Sequence, residues 1–285
     1  MKDSICIQKT GFYTTIQDEG RFGYAHLGVP ESGAMDKKAM QLANILVNNA
    51  QNEAVLEYTL VGPTIRFNCD RHFVMTGGTT VARLNTKTLK NNTVYVGRKG
   101  QVLTLTTITS GCRGYLAIAG GLQSLSVLES KSMYVPITQT GVVGKNMEIP
   151  IGTSNFGAIK GARLKTETTP YLQEETLRVY KGPEYKLLEK ELQEYINNTS
   201  FTVSKLWNRM AIQLTETMQH TIPSITTGPV IPGTIQLTPS GRMMVLMNDC
   251  QTTGGYPRIL QLSETAMYIL AQKKQGDRLS FLLSR

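Results

Sequence analysis

Several things are scarce in this chain, and each scarcity excludes something. No apolar run approaches the roughly 18 residues of a membrane-crossing helix. The opening MKDSICIQKT carries charge where a secretory leader needs an apolar core, so a cytoplasmic location is expected. The four cysteines, Cys6, Cys69, Cys112 and Cys250, lie far apart with no CxxC pair, and the three histidines are equally scattered. That spacing argues against structural zinc or a disulfide framework; reduced, buried thiols are the expectation, and no metal site follows from these residues. Familiar catalytic motifs are missing as well: there is no GxGxxG, no HExxH, and no GxSxG around Ser32. Gly141–Asn146 only imitates a phosphate loop, because Gln139 stands where the first glycine belongs and Asn146 where a hydroxyl belongs.

Charge is present in excess of one sign, with 30 Lys and Arg against 21 Asp and Glu, a formal net charge of +9. The basic residues are spread along the chain in runs no longer than two, and no RNA- or DNA-binding signature accompanies them. A nucleic-acid partner is not expected; an acidic protein partner or an anionic substrate is.

At 285 residues the chain has room for one or two domains. Most of it reads as short strands punctuated by Gly, Pro or Asn, among them 54–58, 64–67, 73–76, 81–84, 101–107, 114–119, 176–180, 211–214, 234–237, 243–247 and 278–283. This spacing predicts β-barrels or sandwiches rather than alternating βαβ units. Three segments have helical periodicity: 34–48 with Ser32 or Asp36 as cap, 183–196, and 263–274 with Ser263 as cap. The turn-rich stretch 152–170 marks a boundary, and a faint echo between Leu56–Pro63 and Leu177–Pro183 hints at duplicated halves.

Two stretches concentrate chemistry. Gly11–Asp36, GFYTTIQDEGRFGYAHLGVPESGAMD, holds five glycines, four carboxylates and Arg21, with turns at 18–21 and 30–33. Phe12, Tyr13, Ile16, Phe22, Tyr24 and Leu27 are expected to pin it onto a core. Met247–Pro257, MNDCQTTGGYP, ends an apolar strand in Asp249, two threonines and the pair Gly254-Gly255. Paired glycines let backbone N–H groups face an anion, or else simply turn a hairpin. Arg113, entering a buried strand through glycine, is a candidate anion clamp or an ion-pair partner. Arg209 sits beside Trp207, the single tryptophan.

These two stretches, with NILVNN (44–49), VLEYTLVGPTIRF (55–67), RGYLAIAGG (113–121), NRMAIQL (208–214) and GTIQL (233–237), resemble in order and over essentially the whole length the 5-oxoprolinase C-subunit family. That family is also described as biotin-dependent carboxyltransferase-like, allophanate hydrolase subunit 2, or kinase-inhibitor antagonist. The resemblance implies a mainly β chain of two cyclophilin-like β-barrel domains with a few short flanking helices, residues 1–165 and 166–285. It implies a hetero-oligomer with a protein like the 5-oxoprolinase B-subunit, and with the A-subunit, that opens 5-oxo-L-proline to L-glutamate at the expense of ATP, with Mg2+. No biotinyl-lysine motif is present, so biotin would arrive on another chain. A lactam is a stable amide, and its activation by phosphoryl transfer relies on positioning and charge stabilisation. Residue type then suggests roles at the matching positions. Arg21, Arg113 and Arg209 would neutralise charge, and Asp18, Asp36 and Asp249 would hold metal or water. Ser32, Thr252, Thr253, Gly254 and Gly255 would donate hydrogen bonds, while Gly20, Gly33, Tyr115, Gln236 and Tyr256 would complete the substrate or nucleotide site. The two glycine-rich corners are expected to converge on one small anion, and Asp249→Asn to cut turnover while leaving the fold intact.

Two alternatives stand beside this one. The first is carboxyl transfer to a urea-like amide, needing a biotin carrier partner. The second is a regulator that binds the B-subunit and relieves its inhibition of a sensor kinase. The chain departs from the family's Gly-Ser-Arg-Ser-Thr run at Glu129-Ser130-Lys131-Ser132-Met133, and carries Lys145 where the family has arginine. Lysine lacks the bidentate guanidinium fork, and Glu for Gly adds charge and removes backbone freedom, so a difference in substrate range or nucleotide affinity, or a divergent paralogue, is the expectation.

Overall fold

The computed structural model describes residues 3–154 and 170–284. The expected boundary at 165/166 lies outside them. Contacts divide the chain into two compact units: Met1–Arg21 with Ser32–Leu172, and Phe22–Glu31 with Gln173–Arg285.

The first unit contains β1 (Ser4–Lys9), β2 (Tyr13–Gln17), α1 (Lys37–Leu46), β3 (Val55–Thr59), β4 (Thr64–Phe67), β5 (Arg71–Leu84), β6 (Lys87–Leu89), β7 (Tyr95–Gly97), β8 (Val102–Ile118) and β9 (Glu148–Pro150). Among the described residues these strands form one sheet in the order β2-β3-β8-β4-β1-β9, with β5 on β8 and the short β6 and β7 on β5. Both β5 and β8 are long because each fuses two segments that read as separate strands in the sequence. Register shifts between Gly77 and Ala82 bend β5 without ending it. Alternation sorts the side chains onto two faces. Leu56, Tyr58, Phe73, Met75, Leu116 and Ile118 fill the concave core. Val55, Val74, Tyr115 and Ala117 face the buried Ala39, Met40, Ala43 and Val47 of α1 or its end. With both faces covered, β3 is buried throughout.

This sheet is a half-barrel, open between β2 and β9. Irregular backbone spans the gap. Met133 N–H donates to Ile16 O (2.9 Å) and Val143 N–H to Thr14 O (2.9 Å) on the β2 side, and Gln123 N–H donates to Pro150 O (2.8 Å) on the β9 side. The first of the two expected barrels is thus a half-barrel whose seam is spanned by loop 122–143 instead of a strand.

The second unit contains β10 (Thr176–Lys181), α2 (Lys190–Asn198), β11 (Ser200–Trp207), β12 (Ala211–Thr217), β13 (Gly228–Pro229), β14 (Thr234–Leu237), β15 (Arg242–Leu246), β16 (Thr253–Gly254), β17 (Arg258–Leu262), α3 (Glu264–Ala271) and β18 (Arg278–Leu283). Seven strands close a barrel, β10-β17-β14-β15-β12-β11-β18, and β13 pairs with β16 apart from it. Buried residues recur at every second position: Leu177 and Val179, Phe201 and Val203, Ile212 and Leu214, Met243 and Val245, Leu279 and Phe281. Ser263 caps α3 as expected, its hydroxyl accepting the Ala266 N–H. The helix expected over 183–196 is broken. A single 3-10 turn, Tyr185–Leu187, gives way to extended backbone at Leu188 and Glu189 before α2 begins.

Candidate functional site

In the first unit the Asp18–Arg21 corner is held by polar groups. Of the expected apolar anchors Ile16 is buried in the core, whereas Phe12 is 67% exposed, Phe22 55% and Leu27 63%. The Asp18 carboxylate accepts from Ser130 Oγ and Ser132 Oγ (both 2.6 Å), from Lys131 N–H (2.6 Å) and from Gly20 N–H (2.9 Å). Arg21, buried, donates from Nε to Val127 O (3.2 Å) and from Nη2 to Ser132 O. Both residues therefore grip the same loop, 127–132, within which Leu128 and Glu129 adopt positive φ. The Lys131 side chain turns instead to Glu53, Nζ to Oε2 at 3.1 Å. Ser32 and Gly33 come back against this corner. A Cβ on Gly33 (φ +83°) would lie 2.7 Å from Glu19 O, so only glycine fits that crossing. The Ser32 hydroxyl is fully buried and has no hydrogen-bond partner in the structure.

Behind it lies a buried relay. Asp36 caps α1, accepting the Ala39 N–H (3.0 Å), and its other oxygen accepts the Tyr171 hydroxyl (2.7 Å). Asp36 N–H donates to Tyr115 Oη (2.8 Å), whose proton goes to Glu57 Oε2 (2.9 Å). Glu57 also accepts Met35 N–H (2.8 Å) and lies 3.9 Å from Arg113 Nε, both side chains being 1% exposed. Burial first, then the Glu57 and Asp36 carboxylates, push the Tyr115 phenol well above its ordinary value. Tyr171 is raised by burial and then by Asp36. Of the residues in this relay, sequence reasoning names Asp36, Arg113 and Tyr115 but not Glu57 or Tyr171. The available signal is a carboxylate inside an otherwise apolar strand, VLEYT, which burial obliges to find partners.

In the second unit Arg209 and Asp249 form a buried two-pronged pair, Nε to Oδ2 at 2.8 Å and Nη2 to Oδ1 at 3.0 Å. Asp249 N–H donates to Arg209 O (2.9 Å), fixing the backbone too. Next along, Thr253 and Gly254 pair with Pro229 and Gly228. Neither Gly254 nor Gly255 has positive φ, so the pair makes neither the expected hairpin turn nor an anion nest. Gly254 is needed for another reason: a Cβ would sit 2.5 Å from Gln236 Nε2, the amide that donates to Tyr256 O (3.3 Å). Thr252 O accepts Val230 N–H, while Thr253 and Tyr256 are exposed. The neighbouring Arg258 is clamped by Glu184 through Nε (2.9 Å) and Nη2 (2.8 Å), a pair that sequence reasoning misses. That bonding holds the Glu184 carboxyl below the usual range. Burial, then Glu31 and Asp249, push the Cys250 thiol up to about 12.

All three arginines assigned to charge neutralisation thus face acceptors of the protein itself. Asp18, Asp36 and Asp249 are each committed to internal donors. Among the described residues no group of three or more His, Cys, Asp or Glu could hold a metal ion. This arrangement does not fit a Mg2+–triphosphate site built from those side chains. Nor is any described helix long and apolar enough to cross a membrane.

Among the described residues, one closed seven-stranded barrel, a half-barrel sheet and three short helices make up the mainly β, cyclophilin-like carboxyltransferase fold. The profile of the family described as "Carboxyltransferase domain, subdomain A and B" matches residues 27–283, and the chain belongs to that family. It is 34% identical to the Escherichia coli (strain K12) protein named as the C-subunit of 5-oxoprolinase, over 97% of this chain and 90% of that one. The Haemophilus influenzae protein of the same name is 31% identical over 94% and 87%. Urea amidolyase of Saccharomyces cerevisiae is 36% identical over 51% of this chain and 8% of its own length. Among solved structures, TTHA0988 superposes with a TM-score of 0.88 at 25% identity over 99% of this chain, which spans 56% of the TTHA0988 chain. The Kluyveromyces lactis urea amidolyase (TM-score 0.87, 23% identity, 99% of this chain and 19% of that one) shares the fold.

Proposed function

We propose that this chain is the C-subunit of an ATP-dependent 5-oxoprolinase, acting in a complex with A-subunit and B-subunit-like proteins that opens 5-oxo-L-proline to L-glutamate. One observation carries the reading. Relatives named as the 5-oxoprolinase C-subunit align along nearly the full length of both chains, whereas the urea amidolyase relative aligns with half of this one. In this reading the chain contributes a rigid small-molecule site rather than a mobile phosphate clamp. Its buried charged groups are already held by protein partners before any substrate arrives, Asp18 and Arg21 by loop 127–132 and Arg209 by Asp249, the preorganisation that positioning chemistry requires. ATP is consumed by the assembled complex, in the cytoplasm.

Co-purification with the chains encoded beside it, followed by ADP measurement with and without 5-oxo-L-proline, tests the proposal. Release of ADP that depends on 5-oxo-L-proline supports it. ADP release that ignores 5-oxo-L-proline but follows urea in the presence of a biotinylated carrier replaces it with carboxyl transfer.

A further inference from the structure

The open seam of the half-barrel leaves a cavity of about 250 Å3 between β2 and β9. Its apolar side is built by Ile16, Met133 and Ile149, its rim by Leu125 and the exposed carboxylate Glu148, and its polar side by Lys131 and Gln139. The volume lies below the roughly 300–1,000 Å3 of sites that bury drug-sized ligands. A nucleotide is too large for it; a single five- or six-membered ring with a small polar substituent is not. Lys131 supplies a cation there: its Nζ reaches Glu53, and an ammonium has three protons to give.

The loop that forms this wall alternates like a strand. Ser130 and Ser132 turn their hydroxyls to Asp18, while Lys131 and Met133 line the cavity. Met133 is further tied to β2 through both its N–H, donated to Ile16 O, and its sulfur, which accepts Ile16 N–H at 3.4 Å. The two faces of one short segment thus serve the buried Asp18–Arg21 lock and the cavity together. Because Lys131 meets Asp18 through its main-chain N–H, its side chain can change without breaking the lock.

Resting on the function proposed above, we infer that this seam cavity binds the lactam substrate, a five-membered cyclic amide bearing one carboxylate. Lys131 is the counter-ion of that carboxylate, Gln139 faces the polar edge, and Ile16 and Met133 pack the methylene edge of the ring. An ammonium meets the carboxylate as a point charge rather than a planar fork, so Lys131 holds it without bidentate geometry.

The test is titration of 5-oxo-L-proline into the purified full chain and into the reconstituted complex, by ligand-observed NMR, beside the turnover assay. Lys131→Gln and, independently, Leu125→Trp at the exposed rim are expected to weaken binding about tenfold or more, and Lys131→Arg to retain it. Binding that neither variant alters overturns the cavity as the site and leaves the proposed function standing. So does a complex that turns 5-oxo-L-proline over while this chain binds none. If the complex turns over no 5-oxo-L-proline, the function fails; the cavity assignment still survives if the compound binds and Lys131→Gln abolishes that binding, and falls if it does not bind.

Discussion

Asp18 and Ser132 hold each other twice: the Asp18 N–H donates to Ser132 Oγ at 3.0 Å, and the same hydroxyl donates to the Asp18 carboxylate at 2.6 Å. With Ser130 on the same carboxylate, a buried acid is satisfied by hydroxyls and backbone instead of by a cation. Hydrogen bonds to charged groups contribute about 1.5–3 kcal/mol each. Ser132→Ala is therefore expected to lower unfolding free energy by about that amount, and Ser130→Ala similarly, read from urea midpoints at unchanged slope. Midpoints equal to the wild type would show that the lock does not support the first unit.

The Arg209–Asp249 pair revises what Asp249→Asn does. Sequence reasoning expects the substitution to spare the fold, but in the structure it leaves a buried guanidinium, 5% exposed, without its counter-charge. Breaking such a pair from one side costs about 3–5 kcal/mol, while replacing both partners with apolar residues is often close to neutral. Asp249→Asn should thus destabilise the second unit markedly, and the double change Arg209→Met with Asp249→Leu should recover most of the loss. A single variant as stable as the wild type would return Asp249 to a purely chemical role.

High pH should loosen the protein. Burial raises the phenols of Tyr58, Tyr115 and Tyr171, and pushes the Cys250 thiol up to about 12. The unfolded chain ionises these groups first, at about 8.5 for a thiol and 10 for a phenol. Their contribution is complete below about pH 8 and is lost as pH rises through the raised folded values. Urea unfolding from pH 7 to pH 11 should show stability falling steadily above about pH 9. Tyr115→Phe should be less stable at pH 7, having lost the bridge from Asp36 to Glu57, yet fall less steeply above pH 10. Constant stability up to pH 11 would contradict the burial account.

Much of the fold is legible in the sequence because its signals are local. Thr64–Phe67, Thr234–Leu237 and Arg278–Leu283 are strands with the bounds their β-branched and aromatic residues suggest. Ser263 and Asp36 cap the helices they precede. What stays hidden is tertiary. Nothing in 73–76 and 81–84 says that one strand bends through both, since the bend follows from pairing with β8. The break at Leu188 is equally invisible to periodicity, which runs through 183–196 without interruption. The candidate site divides in the same way. Asp18, Arg21, Asp36, Arg113, Arg209 and Asp249 are recognisable as charges in or beside glycine-rich or strand-like stretches, and all six are buried. Their partners are remote in sequence, 111 residues for Arg21 and Ser132, so residue type suggests ligands where the structure supplies protein groups. Phe12 and Leu27 fail as anchors for the complementary reason, since they carry no local mark of which side meets water, while Ile16 is buried as expected.

Gly254 offers a test of the second corner. Gly254→Ala places a methyl group against the Gln236 amide, which must swing away and release Tyr256 O. Gly255→Ala meets nothing closer than 3.7 Å. The first should cost about 1–3 kcal/mol and the second much less. Equal effects would mean that the close approach of Gln236 does not explain the glycine.

Membership of a ring-opening complex is tested most directly by the glutamate formed from isotopically labelled 5-oxo-L-proline and ATP by the reconstituted chains. Labelled glutamate should accumulate when this chain is present and stop when it alone is omitted. Glutamate formed equally well without it, or none formed by the full set, would contradict the account.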